Sequence, residues 1–84
     1  MKYSLDGLIF DSDTGNNAKY KVKYKNKTIY FGDGRYQQYK DQIGHYSDND
    51  HNDKKRRKLY HARHKNDNFT DPTYPSYYSS KYLW

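Results

Sequence analysis

The amino-acid sequence predicts an α+β fold: a small antiparallel two- to three-stranded sheet packed against one basic helix, with an aromatic C-terminal tail docked on the body. Three observations carry this expectation. Tyr20, Val22 and Tyr24 alternate with Lys19, Lys21, Lys23 and Lys25, the period of a strand with one packed and one wet face. Residues 54–65 hold seven Lys and Arg and no acidic residue, directly behind an Asp-rich turn suited to capping a helix. Twelve tyrosines, three phenylalanines and one tryptophan supply the apolar mass that scarce aliphatics do not, so the core must be aromatic.

Residues 1–17 are expected to form an N-terminal arm or short strand, ending in Leu8-Ile9-Phe10, followed by a linker, and residues 18–84 a single small domain. The linker, Asp11-Ser12-Asp13-Thr14-Gly15-Asn16-Asn17, is rich in side chains that bond their own backbone. Its D-x-D-x-G pattern lacks the later ligands and the bidentate Glu of a calcium loop. Residues 18–31 read as a hairpin, with Lys25-Asn26-Lys27 as the turn, Thr28-Ile29-Tyr30-Phe31 as the return strand, and Gly32-Asp33-Gly34 ending the pairing. Residues 35–42, with Tyr36 and Tyr39 three apart, suggest one or two helical turns before Gly44.

A longer helix is expected over residues 51–64, capped by Asp50, with Asp53 completing an approximate capping box. Leu59 with Ala62, and Tyr60 with His64 or Arg56, give it a thin packing stripe, and cations cover the rest of its circumference. The tail from Asp71-Pro72 through Tyr74-Pro75 to Trp84 is too aromatic for an ordinary disordered end and is expected to fold back on the body.

Composition narrows the function. A chain of 84 residues buries only about 60% of its unfolded surface, so the core is small. It has no cysteine, which removes disulfides, thiolate metal sites and thiol catalysis. A formal charge of +6 favours anionic partners, with nucleic acid first and an acidic protein next. No apolar run approaches the roughly 18 residues needed to cross a bilayer, so a membrane role is not expected and an intracellular one is.

The basic cluster admits three readings. Lys54, Lys55, Arg56, Arg57, Lys58, Arg63 and Lys65 form a phosphate-binding face; or Lys54-Lys55-Arg56-Arg57-Lys58 is a nuclear-import type address; or the run is a solvated face or a dock for an acidic protein. Tyr20, Tyr24, Tyr30, Tyr36, Tyr39 and Tyr60 interleave with the charge, and one or two of them are available to stack unpaired bases once the core has taken the others. His61 and His64 share a helical face, yet two imidazoles are not a metal site, so no metal or other cofactor is expected. Asp50-His51 with Asn66 imitates the first elements of an HNH nuclease, but no histidine follows Asn66, and no catalytic residues are assigned.

A series of short motifs adds a resemblance. Ile29-Tyr30-Phe31-Gly32, Tyr36-Gln37-Gln38-Tyr39-Lys40-Asp41, Asp50-His51-Asn52-Asp53-Lys54-Lys55-Arg56-Arg57, Tyr60-x-x-Arg63-His64 and Tyr77-x-Ser79-x-Lys81-Tyr82-Leu83-Trp84 follow one another in order. Over residues 20–84 the chain resembles a family of small proteins of giant nucleocytoplasmic DNA viruses of the mimivirus type, with short loops after Gln42 and Lys65. The resemblance implies a viral product made inside a host cell, in a cytoplasmic viral factory or the nucleus, with packaging in the virion left open. It carries no residue's function. The A/T-leaning Lys, Asn and Tyr content, 31 of 84 residues, suits such a genome. The functional expectation is therefore a small basic viral protein that binds DNA or RNA electrostatically without strong sequence preference. Its alternative is a structural or adaptor protein joining a viral or host assembly through a tyrosine-rich surface at Tyr77, Tyr78, Tyr82 and Trp84.

Overall fold

The computed structural model describes all residues, 1–84. Four strands, β1 (Lys2–Leu5), β2 (Leu8–Asp11), β3 (Ala18–Tyr24) and β4 (Lys27–Asp33), form one antiparallel meander in the order β1-β2-β3-β4. Two helices follow, α1 (Lys54–Arg63) and α2 (Pro75–Tyr82). The fold is α+β, with more strands than the two or three expected.

The additional strands come from the segment expected to be an arm or a single short strand. Asp6 and Gly7 both have positive φ, 55° and 76°, which makes a tight two-residue turn and pairs Leu5 with Leu8. Lys25 and Asn26 do the same at 47° and 65°, pairing Tyr24 with Lys27 and lengthening β4 to seven residues. Register places Phe10, Val22, Ile29, Tyr20 and Phe31 on one face, and α2 lays Tyr78, Tyr82 and Leu83 across it. The rings meet mostly edge to face, with centroids 5.8 Å apart for Phe10–Phe31 and 4.9 Å for Phe10–Tyr82. No helix is long and apolar enough to cross a membrane.

Each fully buried tyrosine finds an acceptor for its hydroxyl. Tyr78 donates to Pro72 O at 2.6 Å, Tyr82 to Asp6 at 3.0 Å, and Tyr20 to the buried Asp41. Asp41 also accepts from the backbone N–H of Ile43 at 2.9 Å and of Tyr46 at 2.8 Å, so Tyr20 anchors the connection between sheet and α1.

That connection contains no helix at residues 35–42, contrary to the sequence expectation. Gln38 instead donates its backbone N–H to Asn49 O at 3.3 Å and accepts from His51 N at 3.0 Å, while Lys40 and Gln42 bond to Leu83 O and Tyr82 O. Pairing with distant backbone satisfies this segment better than two isolated helical turns, which would bear the full nucleation cost. Asp50 is likewise not a helix cap. Its carboxylate accepts from Gln38 Nε2 and from Asp41 N, and α1 begins three residues later than expected, capped by Asp53, which accepts from Lys55 N at 2.9 Å and Arg56 N at 3.3 Å. Lys19 departs from the expected row of wet lysines and is buried. Gly32, opposite it with φ 73°, explains the exception: a Cβ there would stand 2.8 Å from Leu83 Cδ1 and 3.1 Å from Lys19 Cβ. The bare backbone lets both side chains close over it.

The tyrosine core sets a pH limit. Burial raises the pKa of Tyr20, Tyr46, Tyr60, Tyr78 and Tyr82 above the usual 10, helped at Tyr20 by Asp41 and at Tyr82 by Asp6. Unfolded tyrosines lose their protons near pH 10 while these keep theirs, so the stability they contribute is complete below pH 10 and declines as pH rises above it. A phenolate absorbance titration should show exposed tyrosines ionising near pH 10 and a later phase coinciding with loss of far-UV circular dichroism. A single phase with no accompanying unfolding would contradict this.

Candidate nucleic-acid interface

Helix α1 has no buried residue. Its attachment centres on one residue, Trp84. The Tyr60 ring stacks on the Trp84 indole with centroids 4.3 Å apart and planes at 2°, Arg57 Nε donates to the Trp84 backbone oxygen at 2.6 Å, and His61 Nε2 meets the same oxygen at 3.2 Å. His64 continues the stack beyond Tyr60 at 4.3 Å, and His51 closes it against Trp84 at 5.2 Å. His51 Nδ1 accepts from Asp53 N at 3.0 Å, which joins this aromatic column to the helix cap. Burial, with Arg56 nearby, lowers the pKa of His51 and keeps it neutral. The packing stripe is therefore Tyr60 and His64; Leu59 and Ala62, expected to pack, face solvent, with Leu59 53% exposed.

The cations fall on two flanks of the column. Lys54, Arg57, Lys58 and His61 line one, and Arg56 and Arg63 the other; Lys55 points outward from α1 and Lys65 follows it, exposed. None of the seven expected phosphate-binding residues forms an ion pair, since the chain's ion pairs join Met1 to Asp11, Arg35 to Asp33 and His64 to Asp67. Arg56 spends one N–H on the neutral Gln37 amide at 3.0 Å, and the Arg57 guanidinium lies 5.0 Å over the Tyr39 ring. Arg57 thus has a structural duty that its charge alone did not reveal.

On the Arg56 side, α1 and the sheet end enclose a cleft of about 520 Å³. Lys19, Asp33, Tyr36, Tyr60 and Leu83 contribute to its lining, and Arg63, His64 and Trp84 complete that side. Tyr36 is 66% exposed. Asp33, the cleft's carboxylate, is held by Arg35 through two bonds of 3.0 and 2.9 Å, and this pairing lowers its pKa to about 2. The segments 29–32, 36–41, 50–57, 60–64 and 77–84, which carry the motif series, all reach this region. A cleft formed by five separate stretches has no local sequence signal beyond that series.

Of the four residues expected to form a tyrosine-rich surface at the tail, two lie in the core instead. Tyr78 and Tyr82 are 0% and 2% exposed because they pack on the sheet as part of the core, whereas Tyr77 and Trp84, the latter beneath Tyr60, are partly accessible. His61 and His64 also diverge, one to Trp84 and the other to Asp67 at 2.7 Å, and no group of three or more ligating side chains is positioned to hold a metal ion. Asp50 and His51 are engaged with backbone N–H groups rather than directed into a cleft.

Comparison with protein-family models, curated proteins and solved structures finds no match to this chain.

Replacing Trp84 with alanine should release α1 while leaving the sheet folded. Full burial of a tryptophan is worth about 3–5 kcal/mol, and this half-buried ring about 2, which lowers Tm by roughly 8–16 °C in a domain of this size. Hydrogen exchange should accelerate across α1 before β3 and β4. Equal protection of α1 in the variant would refute Trp84 as its anchor.

Proposed function

We propose that this chain is a small non-enzymatic module that binds nucleic acid through α1, by neutralising phosphates and without strong sequence preference. The observation that carries this is the charge of the helix: the seven cations of residues 54–65, six of them in α1, stand without one Asp partner, on a helix with no buried residue that packs chiefly through an aromatic column. A solvated, purely solubilising helix in a chain with ten Asp would ordinarily carry mixed charge. One-signed charge on an exposed ridge instead attracts polyanions and gains affinity from counterion release. Lys54, Lys55 and Lys58, like Arg63 and Lys65, have no side-chain partner in the chain, and these three lysines are the principal phosphate ligands of this face; Arg57 contributes charge while holding α1 to Trp84. The resemblance to small proteins of giant DNA viruses supports a setting where viral nucleic acid is abundant, in the infected cell.

Mobility shift across a salt series tests the reading. With about five phosphate contacts, log affinity for duplex DNA should fall with log salt at a slope of about −4 to −5. The Lys54→Glu, Lys55→Glu, Lys58→Glu variant should retain the wild-type melting temperature and bind with a slope shallower by about 3. A flat salt response, or equal binding by a folded variant, would remove the ridge as the working surface.

A further inference from the structure

We propose that the cleft between α1 and the sheet end is a nucleotide site for single-stranded nucleic acid, taking a phosphate at Arg56 and Arg63 and an unpaired base against Tyr36. It rests on the reading of α1 as an anion-binding element, but uses the opposite flank from the lysine ridge.

Charge comes first. Arg63 makes no hydrogen bond or ion pair within the chain, and Arg56 is bound only to a neutral amide. The two are seven residues apart, two turns and about 10 Å along one flank. Below them Lys19 is buried, 1% exposed, with its ammonium donating to Tyr36 O at 2.9 Å and to Gln38 Oε1. Both acceptors are neutral; the ammonium also lies 6.0 Å over the Tyr46 ring, and Asp41, Asp33 and Asp50 act on its charge from nearby. Asp33 is already paired with Arg35, and neither Arg56 nor Arg63 forms an ion pair with it. Burial lowers the pKa of Lys19 while the neighbouring Asp carboxylates raise it, so the positive charge available to a ligand in the cleft is that of Arg56 and Arg63.

Shape and ring chemistry select the anion. The volume of about 520 Å³ lies within the roughly 300–1,000 Å³ of sites for small-molecule-sized ligands, and a concave site of this size excludes a duplex while admitting a splayed nucleotide. Tyr36 stands at the mouth, 66% exposed, with the Arg35 guanidinium 5.8 Å from its ring centre. Exposed aromatic rings beside cations are the means by which proteins stack unpaired bases. Tyr60 and Trp84 are stacked on each other, which leaves Tyr36 as the available platform.

Fluorescence anisotropy with a ten-nucleotide oligo(dT), a ten-base-pair duplex and dTMP separates the outcomes. Tyr36→Ala should weaken oligo(dT) binding about tenfold, the scale of one lost base stack, while Tyr36→Phe retains it and duplex binding does not change. Arg63→Gln should weaken oligo(dT) binding and reduce its salt slope by about 1. Both positions are exposed and Arg63 has no intrachain partner, so these variants should melt as wild type does. If they bind oligo(dT) as wild type while the triple lysine variant loses both polymers, the cleft is not a site and the ridge still stands. If the lysine variant is unaffected while Tyr36→Ala is weakened, the ridge fails and the cleft stands. Binding of dTMP as tight as that of oligo(dT) would assign the cleft to free nucleotides and overturn the single-strand assignment, and no binding by any probe would end both proposals.

Discussion

The hydroxyl of a buried tyrosine must be satisfied, and in this chain one such hydroxyl organises everything after the sheet. Tyr20 is fully buried in β3 and donates to Asp41, which gathers the N–H groups of Ile43 and Tyr46; the same hydroxyl accepts from His45 N at 3.1 Å. Leaving either partner unpaired in the interior would cost about 1–3 kcal/mol, a large share of the stability of so small a domain. The node fixes residues 41–46, and Gln38 and Asp50 extend it by linking Lys19, Tyr46 O and Asp41 N. The ordered connection then delivers Asp53 to the start of α1. A leucine core would have filled the same space without specifying where that connection runs.

What was legible in the sequence follows from how local each signal is. The β3–β4 hairpin shows in the alternation of Tyr20, Val22 and Tyr24 because β-strand period is a local property. Asp6-Gly7 is an equally good hairpin turn, but the strands beside it are four residues each and their outward faces include the apolar Ile9, so the alternation is blurred. Helix α2 was concealed by poor helix formers; Pro75 at its first turn was the available clue, and it is Tyr78 and Tyr82 packing on the sheet that makes the helix. The cap was displaced from Asp50 to Asp53 for a non-local reason, the demand of Gln38 and Asp41 N on the Asp50 carboxylate. Among candidate site residues, the cations of α1 were visible as composition, whereas the burial of Lys19 and the place of Tyr36 in the cleft depend on the bare backbone at Gly32 and on chain reversals that no window contains.

The dependence of α1 on Trp84 has a structural consequence for function. A helix with an ordinary apolar stripe hides about a third of its circumference and orients the remainder. Here the contact narrows to one aromatic column of His64, Tyr60, Trp84 and His51, so both of its flanks stay open, one lined by Lys54, Arg57, Lys58 and His61 and one forming the arginine wall of the cleft. An open cationic flank and a cationic cleft favour different forms of a polyanion: a duplex presents its phosphates outward to an open surface, whereas a single strand can turn a base into a cleft.

The absence of glutamate explains why this charge stays available. Aspartate is short, and its carboxylate readily bonds nearby backbone N–H groups. Asp11 accepts from Asp13 N at 2.9 Å, Asp71 from Thr73 N at 2.9 Å, and Asp53 caps α1; Asp6, Asp41 and Asp50 serve tyrosine, glutamine or backbone donors, while Asp33 and Asp67 pair with Arg35 and His64. Eight of the ten acids are thus spent holding turns and loops, and Asp13 and Asp48 lie outside α1. A glutamate within α1, four residues before a lysine, would bridge to it across one turn, and none exists. The chain's negative charge is consumed as hydrogen-bond acceptors in the fold, and the positive charge of α1 is left on the surface.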